Sequence, residues 1–341
     1  MTTKKQWYSD GFEKLISPAN WNRSIDDFTE MFWDVNTSQY WLDTEFPISK
    51  DAGDWSRLSD DEREVYKAVF GGLTMLDTLQ GAEGMPFIMQ SLPSSQSSRK
   101  AVLSYMGTME FIHSKSYSTI FTTLLDNSNE IDGVFDWVEG EKHLQYKGQK
   151  IAKYYRSIDN NESLYMAMVA SVFLESLLFY SGFFYPLYKK GLGKMNNTGE
   201  VISMIVRDEQ VHGVFVGLLA RELREQFDAE TVERLNKETY ELLEDLMENE
   251  IEYTRSVYSS IGLDNEVIDF VYYNANKALQ NLDLESPYKD REINPIVENG
   301  IKIKTKSTDF FSVKGDSYFK ATVEEVNDDD FDFGDRLWVN I

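Results

Sequence analysis

The chain has 341 residues, enough for one large core or two ordinary domains. Its 58 acidic residues outnumber 34 basic ones, a net charge of -24, which excludes nucleic acid binding through a basic surface. With no cysteine, disulfides, thiol catalysis and cysteine-ligated zinc or iron–sulfur clusters are excluded as well, which suits a reducing cytoplasm. At the N-terminus, Met1 to Asp10 carries charge with no apolar run behind it, so no signal peptide is read there.

The hydrophobic period is helical almost throughout, and no convincing period-two run marks a strand. Ser59-Asp-Asp-Glu62 forms a capping box that opens a helix ending near Leu79 or Gln80. Its stripe runs Tyr66, Phe70, Leu73 and then Asp77. A second helix starts near Ser98, with Leu103, Met106, Glu110, His113, Tyr117 and Ile120 in line. A third spans about Leu164 to Tyr185 and aligns Met168, Val172, Glu175, Phe179 and Gly182. A fourth runs from about Gly199 past Leu219, with Ile202, Ile205, Glu209, His212 and Val216 on one face. Further helices are expected near His143–Arg156, Ala229–Ser259 and Asn265–Leu282, with a loop at Asp126–Glu141. The apolar stretch from Met166 to Tyr188 is long enough to cross a membrane, but Glu175 sits inside it and Gly182 and Pro186 follow. It reads as a wholly buried helix, not a span.

A carboxylate interrupts the buried stripe of each of these four helices. Two of the three histidines close the same four-residue motif, Glu110-Phe-Ile-His113 and Glu209-Gln-Val-His212. Positions three apart share a helix face, so each motif can offer a carboxylate oxygen and an imidazole nitrogen to one point. Asp77 precedes Glu110 by 33 residues and Glu175 precedes Glu209 by 34. At about 1.5 Å per residue, each interval fits two helices and a turn, with both acids at mid-height. The 65 residues between Glu110 and Glu175 leave room for a long crossover. The expected core is therefore two helical hairpins, each carrying one lone acid and one Glu-x-x-His.

A single buried Glu or His is more often a satisfied core polar group than a ligand. Here Asp77, Glu110, His113, Glu175, Glu209 and His212 converge, and four buried carboxylates are too costly to ionise without cations. Two divalent ions balance the four charges, with the histidines as neutral ligands. Oxygen-rich ligation with one imidazole per metal suits iron or manganese. His143 has no such companions and reads as a surface or loop residue. Tyr117, one turn beyond His113, reads either as a core tyrosine or as a phenol that such a centre could oxidise, with Phe179, Phe183 and Ile205 able to keep it dry.

Several segments then make a specific pattern: Leu76-Asp-Thr78, Met109-Glu-Phe-Ile-His-Ser-Lys-Ser-Tyr117, Ser171-Val-Phe-Leu-Glu-Ser176, Phe179-Tyr-Ser-Gly182, Arg207-Asp-Glu-Gln-Val-His-Gly213 and Tyr273-Asn-Ala-Asn-Lys-Ala-Leu279. Over nearly the whole chain this resembles the radical-generating small (beta) subunit of class I ribonucleotide reductase, and most closely its class Ib branch. The resemblance implies an all-α, ferritin-like bundle, a homodimer, and two manganese or two iron ions per chain, with Tyr117 as the stable tyrosyl radical. It also implies that Trp33 and Asp208 join His113 in a relay toward a large catalytic subunit that reduces ribonucleoside diphosphates. With manganese, it implies a flavodoxin-like activator. Asp208 has a physical rationale too, because a ligating histidine usually gives its second N–H to a carboxylate or carbonyl.

From about Ser286 the apolar stripe gives way to Pro, Lys and Asp, so residues 1–286 are read as the bundle and 287–341 as a flexible acidic tail. Tyr318 matches the tail tyrosine that passes the radical between subunits in the family, and the acidic tail would dock on the large subunit. The chain departs from the class Ib pattern by continuing past the Asp328–Phe333 cluster through Gly334 to Ile341. Two other readings use similar ligands, a ferritin-like oxidase or monooxygenase and a ferritin-like storage protein. The position of Tyr117 and the tail around Tyr318 weigh against both.

Overall fold

The computed structural model describes residues 7–10, 18–23 and 25–302; Tyr318 and the acidic terminal segment lie outside the described residues. Among the described residues every regular element is helical. Helix α1 (Thr29–Ser38) is followed by two short 3-10 turns and the single-turn α2 (Ala52–Trp55), and then the bundle begins. Helix α3 (Asp60–Leu79) starts at the capping box read from the sequence. The Ser59 hydroxyl accepts the Glu62 N–H at 3.2 Å, and the Glu62 carboxylate accepts the Ser59 N–H at 2.8 Å.

The helix does not stop at Gln80. A π-helical turn, Gln80–Gly84, carries it into α4 (Met85–Ser91). Two glycines and Pro86 suggest a stop, but Pro86 lies in the first turn of α4, just after the π turn in which the Met85 N–H reaches back five residues to the Gln80 carbonyl. Gly81 is where this segment comes closest to α5 (Ser97–Leu124): a Cβ there would stand 3.0 Å from Glu110 Cβ.

The expected loop at Asp126–Glu141 is instead helix α6 (Ser128–Gly140), capped by Asn127, whose side chain accepts the Glu130 N–H at 3.1 Å. Only a narrow edge, Val134 and Val138, is buried, so its apolar signal is thin beside its acids and Gly133. Helix α7 (Lys142–Tyr155) follows and carries His143. That histidine is half-buried and its Nδ1 lies 3.0 Å from the Asn249 side-chain oxygen, so it is neither in a loop nor fully exposed.

The long apolar run forms α8 (Asn161–Phe173), a π-helical turn Leu174–Leu178, and α9 (Tyr180–Gly191). Its apolar window is entirely buried among other helices. An interior helix gives the same hydropathy as a membrane span, because both lack a solvated face. Helix α10 (Asn196–Arg224) enters through Met195 in the left-handed region. Its first N–H groups are capped from far away in sequence: Asp51 accepts from the backbone of Asn197 at 3.2 Å and Thr198 at 2.7 Å.

Helix α3 packs on α5 and α8–α9 on α10, the two hairpins expected, and α11 (Ala229–Tyr258) and α12 (Asp264–Asn281) flank them. The boundary drawn at residue 286 falls too early. Helix α13 (Pro295–Ile301) docks on α9 and α10, with Val297 fully buried. The Asn299 amide donates to the Gly191 carbonyl at 3.1 Å, and the Ser203 hydroxyl to the Gly300 carbonyl at 3.1 Å.

Candidate metal centre

Asp77 sits in the last turn of α3, Glu110 and His113 in mid-α5, Glu175 in the π turn after α8, and Glu209 and His212 in mid-α10. All six are fully buried. They form two donor groups, Asp77–Glu110–His113–Glu209 and Glu110–Glu175–Glu209–His212, in which the ligand atoms lie within 4.8 Å of one another. Glu110 and Glu209 belong to both groups, and Asp77 and Glu175 to one each.

Inside the cluster only some of the donor atoms are hydrogen-bonded, among them His212 Nδ1 with Glu209 Oε2 at 3.1 Å. His113 Nδ1 stands 2.9 Å from Glu209 Oε1, yet neither atom has a hydrogen-bond partner. Both oxygens of Asp77, both of Glu110 and Oε2 of Glu175 are likewise buried without a hydrogen bond. His212 Nδ1 faces Glu110 Oε1 at 2.9 Å and Glu209 Oε2 at 3.1 Å. Buried native polar groups are rarely left unpaired, and a cluster of them is what a bound ion would explain.

Charge points the same way. Burial, reinforced by neighbouring carboxylates, pushes the Asp77 and Glu175 carboxyls well above the usual range. Burial alone would lower both histidines, but the surrounding carboxylates hold them well above the ordinary imidazole value. For Glu209 burial is overcome by the Glu175 carboxyl and the two imidazoles, which hold it low. Buried carboxylate charge here calls for a counter-charge, which two divalent ions would supply, and a set of four carboxylates and two imidazoles suits iron or manganese.

Around the cluster, the Asp208 carboxylate links two rings. Its Oδ2 accepts the Trp41 indole N–H at 2.7 Å and lies 3.3 Å from His113 Nε2, and the Arg207 guanidinium holds Oδ1 at 3.0 Å. Trp41 also stacks on His113, with ring centroids 5.8 Å apart. The indole expected here was Trp33. In the structure Trp33 is only half-buried, against Trp21 and Tyr105, and among the described residues no hydrogen bond or ring contact joins it to Asp208 or His113. Helix α1 ends at Ser38, and it is the irregular segment after it that lays Trp41 over the histidine. Trp41 lies on no periodic stripe, so nothing in the residue pattern marks it.

Tyr117 is fully buried and stacks on Phe70 at 5.7 Å, and its hydroxyl has no hydrogen-bond partner. Burial, then the nearby Asp77, Glu209 and Glu110 carboxylates, raise its hydroxyl far above the ordinary phenol value, so it stays protonated. Phe179, Phe183 and Ile205 are fully buried, as a dry pocket needs. Two further residues drew no attention in the sequence: Gln80, which donates to Glu175, and Tyr155, which donates to Gln80. Gln80 follows Asp77 by three positions, a spacing that could have drawn attention to it.

Fold and donor set together define a ferritin-like dimetal-carboxylate protein. A family model described as ribonucleotide reductase, small chain, matches residues 18–295. The ribonucleoside-diphosphate reductase subunit beta of Bacillus subtilis (strain 168) is 49% identical over 326 residues, covering 95% of this chain and 98% of that one. Subunit beta nrdF2 of Mycobacterium tuberculosis (strain ATCC 25618 / H37Rv) is 40% identical over 322 residues, covering 93% and 97%. The crystal structure of Streptococcus sanguinis dimanganese(II)-NrdF superposes with a TM-score of 0.80 at 41% identity, covering 84% of this chain and 99% of that one. The chain belongs to the ribonucleotide reductase small-chain family, as an NrdF-like beta subunit in keeping with class Ib. Beta subunits of this enzyme pair as homodimers and act with a large subunit. The oxidase, monooxygenase and storage readings give way to these matches.

Proposed function

We propose that Asp77, Glu110, His113, Glu175, Glu209 and His212 hold two manganese or two iron ions per chain, and that Tyr117 stores the oxidising equivalent as a tyrosyl radical. The metals supply the oxidising power that removes an electron from the phenol. The chain's own residues do the rest. The observation that carries this reading is Tyr117 itself: a fully buried phenol beside the donor cluster, with no hydrogen-bond partner and an aromatic neighbour. A radical there is shielded from water and from reductants.

Asp208 and His113 form the first part of the path out, and the stacked, hydrogen-bonded Trp41 supports placing Trp41 in it ahead of Trp33. Tyr318 and the acidic tail, outside the described residues, would complete the path and dock on the large subunit, which reduces ribonucleoside diphosphates. Activation with manganese would use a flavodoxin-like partner that delivers a reduced oxygen species. A chain without cysteine operates readily in the cytoplasm.

Truncation before Tyr318 tests the division of labour. The truncated protein should assemble its metals and show the radical signal of the full chain, while nucleotide reduction with the large subunit is lost. Unchanged turnover would remove the tail from the function.

A further inference from the structure

Gln80 is fully buried at the first position of the π turn after α3, and it faces the second π turn, the one that carries Glu175. Its Nε2 donates to Glu175 Oε1 at 2.5 Å and to Ser171 Oγ at 2.9 Å. Its Oε1 accepts from the Tyr155 hydroxyl at 2.6 Å, and Tyr155 is itself buried. A metal-bound carboxylate accepts hydrogen bonds and cannot donate, so the amide nitrogen must face Glu175 and the phenol must donate to the amide oxygen. Each polar atom of Gln80 is thereby committed. Gly84 leaves the room for this: a Cβ there would lie 2.0 Å from Gln80 Oε1 and 2.9 Å from the Tyr155 ring.

The two halves of the donor set are anchored differently. In the first, His113 is backed by Asp208, while neither oxygen of Asp77 has a hydrogen bond. In the second, His212 Nε2 has no hydrogen-bond partner, and the anchored ligand is the acid. Glu175 has one oxygen engaged by Gln80, and the other, Oε2, is left facing the cluster.

We propose that Gln80, braced by Tyr155, is the positioning residue for the second half of the site. It occupies one oxygen of Glu175 so that only Oε2 is offered to a divalent cation, and it sets how tightly that cation is held. This rests on the reading of the six residues as a two-metal site.

Manganese(II) titration of the metal-free full-length protein, followed through the paramagnetic resonance signal of the free ion, tests it. Anomalous scattering at the manganese edge, from crystals equilibrated at graded concentrations, assigns each occupancy to its site. The wild type should take two ions per chain. Gln80→Leu should weaken the ion on the Glu175 side by roughly 10- to 100-fold and leave the Asp77-side ion at its wild-type affinity. Tyr155→Phe, which removes a single atom, should weaken the same ion by less, and it carries the test should Gln80→Leu not fold. Equal weakening at both sites, or no change at either, would overturn the positioning role. A wild type that binds no manganese would instead overturn the two-metal reading itself.

Discussion

At the residue scale, Asp208 ties together two rings from distant parts of the chain. One oxygen joins the Trp41 indole N–H to the His113 ring, and the other is held by Arg207. Such partners orient a ligating histidine and usually matter about 10- to 100-fold to activity or affinity. Asp208→Asn keeps the shape but removes the charge, and Trp41→Phe keeps the stack but removes the donor. Both should retain the radical signal and cut turnover with the large subunit by about 10- to 100-fold, whereas Trp33→Phe should stay near wild type. If Trp33→Phe abolished turnover and Trp41→Phe did not, the path would run through the first indole after all. The six donors were legible because a carboxylate or histidine interrupting an apolar helical stripe is visible in the sequence. Trp41 was not, because its position comes from an irregular segment whose course depends on tertiary packing.

At the scale of elements, the ends of α3 show how local chemistry fixes the helix that carries Asp77. Glu62 serves the capping box and is also paired with Lys189 and the Tyr185 hydroxyl of α9. Burial works against its charge, but Lys189, the Ser59 N–H and Tyr185 outweigh it and push the carboxyl down to about 2 from an ordinary 4.5. A carboxyl depressed in the fold stabilises it fully above its unfolded value, and that contribution is lost as pH falls through the folded one. Glu62→Gln should therefore lower stability at pH 7 by about 2 kcal/mol, and the gap to wild type should close between about pH 5 and pH 2. Denaturant titrations at several pH values read this directly. A gap that persisted unchanged at the lowest pH would make the loss one of packing. The capping box was plain from Ser59 and Glu62, three residues apart. The continuation of α3 through Gln80–Gly84 was not, since two glycines and a proline usually end a helix and only contact with α5 shows why they do not here.

At the scale of the whole molecule, two helical hairpins bring four acids and two histidines from distant parts of the chain into one buried cluster, and Tyr117 lies beside it. The spacing of 33 and 34 residues between paired acids announced those hairpins. Helix α6 and the docked α13 escaped notice because each buries too few side chains to leave a stripe. The proposed function rests above all on the phenol of Tyr117 being where the oxidising equivalent is stored. Electron paramagnetic resonance of wild type and Tyr117→Phe, each loaded with metal and activated, together with metal counts on the same samples, tests this most directly. The wild type should show a tyrosyl signal that Tyr117→Phe lacks, with two metal ions per chain in both. A tyrosyl signal that persists in Tyr117→Phe would place the radical on another residue and contradict the account.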